Sequence, residues 1–150
     1  MAKRFQDKVV WVSGAAQGIG RGIAEYFSRE GAKVAIVDVN RKEGMNLSQS
    51  LRNNGGKVDF FYCDLNDEES IKRSISETAE QFEGLDVVVN NGAINIIKLL
   101  HEHSQEEWDL QMNVNLKSCF LSFKYAYPFL RRNEKSYVVN MGSVSSFVGQ

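Results

Sequence analysis

The chain has 150 residues, enough for one domain that removes roughly 70% of its unfolded surface from water. It is 43% hydrophobic and 25% charged, and 18 basic against 19 acidic residues leave a net charge of -1, which gives no electrostatic reason to expect nucleic acid or an anionic membrane as a partner. No window reaches the roughly 18 uninterrupted apolar residues of a membrane span, and charges break the N-terminal MAKRFQDKVV before a signal peptide can form.

In chain order, Val9-Val10-Trp11-Val12 is a short, nearly continuous apolar run, the pattern of a strand buried on both faces. A glycine-rich turn comes next, and Ile19, Ile23 and Phe27 then recur every four residues on one face of a helix that Gly31 closes. Residues 34–37 predict a second strand, 41–53 a weaker helix ended by Gly55-Gly56, and 58–62 a third strand. Asn66 or Asp67 caps a helix carrying Ile71, Ile75, Ala79 and Phe82, and residues 86–89 predict a fourth strand. A loop over 90–104 leads to a long helix with Met112, Leu116, Cys119, Phe123 and Tyr127 on one stripe. Pro128 is expected to kink that helix before a fifth strand over 137–140. Alternation of strand and helix with short links implies a doubly wound α/β domain, a parallel sheet between two layers of helices.

The first strand-to-helix turn reads SGAAQGIG, with Gly14, Gly18 and Gly20. One glycine permits the tight turn, one lets backbone approach a pyrophosphate, and one lets the helix pack against the strand, while the helix N-terminus offers free N–H groups to phosphate. The second strand ends in Asp38, where a carboxylate can accept from an adenosine ribose 2′-hydroxyl and opposes the 2′-phosphate of NADP. Like charges about 4 Å apart cost roughly 1–4 kcal/mol, so NAD is expected in preference to NADP, with Arg41 near enough in sequence to soften the bias.

These residues make the chain similar to the classical short-chain dehydrogenases/reductases, over its whole length. SGAAQGIG resembles that family's Thr-Gly-x-x-x-Gly-x-Gly motif with Ser13 for threonine, which extends the expected cofactor site to Ser13, Gly14, Gln17, Gly18, Ile19 and Gly20. CDL at 63–65 resembles the adenine-contacting turn, with Asp64 and Leu65 in that role. NNGA at 90–93 resembles Asn-Asn-Ala-Gly with its last two residues exchanged, placing Asn91, Gly92 and Ala93 beside the cofactor. MNVNLKSCF places the family's catalytic asparagine, which holds a water in a proton relay, at Asn115. VVNMGSVSS places its catalytic serine at Ser143, with Ser145 and Ser146 as turn residues.

The resemblance implies a Rossmann-like, three-layer sheet of strand order 3-2-1-4-5, hydride transfer between a nicotinamide and a small alcohol or ketone, and a homo-oligomer. The family's serine works with a Tyr-x-x-x-Lys pair, because a tyrosine that titrates near 10 needs a neighbouring cation to act near neutrality. Among the five tyrosines only Tyr127 has a cation four residues on, Arg131, and that pair precedes the serine. Residues 1–150 are therefore expected to be a single, incomplete NAD(P)-binding domain whose fifth strand is an open edge. A non-catalytic dinucleotide-binding module or decayed paralogue is the alternative. Cys63 and Cys119 match no metal spacing and read as small buried thiols, so a cytoplasmic location is expected. His101-Glu102-His103 reads as solvated loop, with no metal site.

Overall fold

The computed structural model describes residues 3–144. Five parallel strands run β3 (Lys57–Tyr62), β2 (Lys33–Asp38), β1 (Val9–Ser13), β4 (Val87–Asn90) and β5 (Tyr137–Asn140) across the sheet. The expected order 3-2-1-4-5 is the observed one. β1 is central because all five of its residues are buried, so both of its faces need cover.

Side-chain alternation along the strands divides the core in two. Val10, Val12, Val34 and Ile36 point to one face, where Ala24 of α1 (Gly18–Arg29) and Leu47 of α2 (Arg41–Asn53) cover them. Trp11, Ala35, Val37 and Val88 point to the other. There Ile71, Ile75 and Phe82 of α3 (Glu68–Phe82) meet Leu121, Ala126 and Leu130 of α5 (Ser118–Leu130). The helix after β1 thus leaves for one face, and the helices after β4 leave for the other. A crevice opens between them at the carboxyl ends of the two strands.

The helix boundaries reflect local chemistry. Gly31, at φ +89°, takes the left-handed position after α1. Asp67 is the α3 cap, accepting from Glu69 N, and Asn40 caps α2 by accepting from Glu43 N. Ser104 and Glu107 form a reciprocal capping box at the start of α4 (Gln105–Met112).

The long helix differs from expectation. It is α4, a π-helical segment (Asn113–Lys117) and α5, and α5 runs through Pro128 to Leu130. The π segment widens one turn between α4 and α5. The stripe of Met112, Leu116, Phe123 and Tyr127 faces outward, with only Cys119 of the five half-buried. The buried side is Val114, Ser118, Leu121, Ser122, Ala126 and Leu130. Small hydroxyls serve as core there because each has a partner: Ser118 Oγ donates to Val114 O (2.6 Å) and Ser122 Oγ to Asn90 Oδ1 (2.7 Å). Ile19 likewise leaves the face it was assigned to and is 68% exposed, while Ile23 and Phe27 pack on the core.

Candidate functional site

The crevice is a cleft of about 600 Å³. Its lining comes from the turn after β1, the ends of β2 and β3, the loop after β4, and Leu110 and Val114 on the helix beyond that loop.

The three glycines divide the work as the turn chemistry demands. Gly14 has φ +61° and passes so close to Gly92 that a Cβ on Gly14 would lie 2.6 Å from Gly92 Cα. Gly18 has φ +57° and nothing within 4 Å of the place a Cβ would take, so its backbone is open to the cleft. Gly20 is buried, and a Cβ there would overlap the Gly14 carbonyl, so its hydrogen lets α1 seat against β1. Gln17 lines the cleft mouth ahead of α1.

Ser13 lies beneath the cleft rather than in it. It is 1% exposed; its Oγ accepts from Asn91 N (3.1 Å) and Gly92 N (3.0 Å), and its hydroxyl faces the Val89 carbonyl. Asn91 returns the contact, donating from Nδ2 to the carbonyls of Ser13 (3.0 Å) and Gly14 (3.2 Å). The Gly-rich turn and the loop after β4 are thereby locked together, with Gly92 and Ala93 forming the wall between them. A Cβ at Gly92 would lie 2.6 Å from Leu65 Cδ1 and 3.1 Å from Gly14 N.

Asp38 sits at the cleft edge with both carboxylate oxygens oriented by backbone: Oδ2 accepts from Ala16 N (3.0 Å) and Oδ1 from Asn40 N (2.9 Å). Each oxygen keeps a lone pair for a further donor. Arg41 is turned away, its guanidinium 4.0 Å from the Tyr62 ring centroid, and among the described residues it makes no ion pair with Asp38. Asp64 and Leu65 line the same end, with Asp64 Oδ1 accepting from Asn66 N (2.8 Å).

At the other end, Asn115 brackets Ile94, accepting from its N–H (2.9 Å) and donating to its carbonyl (2.8 Å). Ser143 lies beyond β5, exposed. Asn90 ties β5 to this end, accepting Met141 N at its carbonyl (2.9 Å) and donating from Nδ2 to Asn140 Oδ1 (2.7 Å). Ser145 and Ser146 lie outside the described residues.

Sequence reasoning missed Val37, Val39 and Asn66 at the end of the cleft formed by β2 and β3, and Leu110 and Val114 at the other. Val114 was findable, as it stands one residue before Asn115. Cys63 also lines the cleft, and burial pushes its thiol up to about 11, so it is protonated at neutral pH. Cys119 is half-buried rather than buried. His103 is not a solvated loop residue: its side chain is mostly covered and its Nδ1 is 3.9 Å from Glu107. Among the described residues no cluster of His, Cys, Asp and Glu could hold a metal, and no helix is long and apolar enough to cross a membrane.

A parallel sheet ordered 3-2-1-4-5, with a glycine turn after the first strand and an acid at the end of the second, defines a Rossmann fold. The chain belongs to the short chain dehydrogenase family, whose pattern it matches over residues 8–150. It is 33% identical over 143 residues to an oxidoreductase of Thermotoga maritima, covering 95% of this chain and 56% of that one. It is also 33% identical to the cyclopentanol dehydrogenase of a Comamonas species, covering 97% and 58%. A short chain dehydrogenase of Burkholderia cenocepacia, solved in complex with NADP, superposes with TM-score 0.93 at 26% identity, covering 98% of this chain and 60% of that one. The chain therefore spans somewhat more than half the length of these relatives.

Proposed function

We propose that the cleft binds a nicotinamide dinucleotide, NAD in preference to NADP, and that the chain forms the cofactor half of an oxidoreductase acting on a small alcohol or ketone. The observation that carries this reading is the pairing of an open, positive-φ Gly18 at the start of α1 with a doubly oriented Asp38 carboxylate at the far side of the same cleft. A pyrophosphate needs bare backbone N–H groups, and a ribose diol needs fixed acceptors. The open backbone at Gly18 and the oriented carboxylate of Asp38 support this reading.

Residues of the Gly-rich turn would cradle the phosphates, Asp38 would take the ribose hydroxyls, and Asp64 with Leu65 would border the adenine. When bound, the nicotinamide accepts or donates hydride at its C4. The chain's own part at that end is positional: Asn115 holds the loop at Ile94 and anchors a proton relay, and Ser143 orients the substrate oxygen. No Tyr-x-x-x-Lys pair occurs in these 150 residues. Tyr127 does not substitute, since it stands half-exposed on the outer face of α5 with Arg131 stacked over it at 5.8 Å. Turnover by residues 1–150 alone is accordingly expected to be negligible. The outward apolar stripe of α5 is the surface through which copies would assemble.

The preference for NAD rests on Asp38 and runs against the NADP of the Burkholderia neighbour. Titration of NADH and NADPH into the chain, monitored by the fluorescence of Trp11 and Trp108, tests it. NADH is expected to bind at least tenfold more tightly, and Asp38→Ala to weaken NADH by about tenfold, as loss of a charged hydrogen-bond acceptor does. Tighter binding of NADPH would overturn the preference, and binding of neither would overturn the site.

A further inference from the structure

We propose that Gln111 is a positioning residue which, with Asn115, clasps residues 94–96 to the helix and so sets the cleft wall beyond β4. Family resemblance assigns a role to Asn115 and none to Gln111. The proposal rests on the dinucleotide reading of the cleft and names a further residue that shapes it.

Asn115 meets both backbone groups of Ile94, at 2.9 and 2.8 Å, and Gln111 Oε1 accepts from Ile96 N at 3.1 Å. Side chains four apart lie on one face of a helix, and in an extended segment the backbone groups of residues two apart point the same way. The two amides thus form a two-rung ladder, supplying the partner that a strand would otherwise give this segment. Burial agrees: Ile94 and Ile96 are half-buried, while Asn95 and Ile97 are exposed. One rung fixes a point and lets the segment pivot. The second rung fixes its direction.

The clasp is tied to the cleft through its neighbours. Leu110 and Val114, each one residue before a rung, line the cleft together with Ile94. The same two turns of helix therefore supply both the apolar wall and the hold on the loop opposite. Without Gln111 the half-buried Ile96 N–H loses its acceptor, and the segment has reason to move toward water.

Residue-resolved amide exchange by NMR on the 150-residue chain tests this, together with NADH titration. In the unaltered chain the Ile94 and Ile96 amides are expected to exchange at least tenfold more slowly than those of Asn95 and Ile97. Gln111→Leu should abolish the protection at Ile96, keep it at Ile94, and weaken NADH by about three- to tenfold. Gln111→Glu retains the acceptor and should restore both. Unprotected Ile96 in the unaltered chain would overturn the proposal, and this holds even where Gln111→Leu does not fold. So would Gln111→Leu with NADH affinity unchanged, or Gln111→Glu behaving like Gln111→Leu. A chain that protects Ile96 yet binds neither dinucleotide would sink the dinucleotide reading and leave the clasp standing.

Discussion

β1 and β5 are alike in composition and opposite in circumstance. Val-Val-Trp-Val-Ser in β1 is buried throughout, whereas Tyr-Val-Val-Asn in β5 is exposed throughout, with Tyr137 57% exposed. Both pair in parallel register with β4. The difference lies in what stands beside and above them: β1 has a strand on each side and helices on each face, and β5 is an edge strand among the described residues. Apolar sequence makes a strand, and neighbours make a core. An unpaired apolar edge is also a template for another strand.

The largest expected effect sharpens this contrast. Trp11→Ala, at a fully buried position where Nε1 donates to Ser74 Oγ, should cost about 3–5 kcal/mol of stability. Val139→Ala on β5 should cost under about 0.5 kcal/mol in the same urea titration. Comparable losses at the two sites would show that β5 is covered in solution.

Next comes the locked turn. Gly20→Ala forces α1 off the Gly14 carbonyl and should cost about 1–3 kcal/mol and most of the NADH affinity. Gly18→Ala has room for its methyl and suffers only from its positive φ, so it should cost less stability than Gly20→Ala.

Phe123→Glu, on the outward stripe of α5, should change the unfolding midpoint little and, on the proposed assembly through this stripe, should weaken self-association in sedimentation velocity. A large drop in the midpoint would mean that the stripe packs within one chain.

The smallest effect is expected at Cys63. With its folded pKa raised to about 11, roughly one thiol in a thousand is thiolate at pH 8, so iodoacetamide should label Cys119 well before Cys63. Equal labelling would indicate that the cleft floor opens to solvent.

The expected strands and helices recur with ends shifted by only a few residues, as at β4, which begins at Val87 rather than Asp86. Buried parallel strands are continuous apolar runs, and their helices are bounded by Gly31, Asn40, Asp67 and Ser104, so both signals are local. The glycines of the first turn and Asp38 could be read from the sequence for the same reason, since each is a residue type suited to a fixed place in a strand-turn-helix unit, whereas Asp64 and Asn91 were expected only from the resemblance to the family.

The sequence by itself determined which segments form the sheet, the order of the motifs along it, and the presence of an acid at the end of β2. Only the tertiary structure decided which way the side chains around the cleft face. Ser13 turns inward to hold the loop after β4, Arg41 stacks on Tyr62 instead of reaching Asp38, and Gln111 reaches across fifteen positions to Ile96. It also left the apolar stripe of the long helix outward, with Ser118 and Ser122 facing the core and their hydroxyls bonded. Periodicity reports the pitch of an ideal helix. The Ser122 hydroxyl is bonded to Asn90, 32 positions back in the chain, and no local pattern records such a partner.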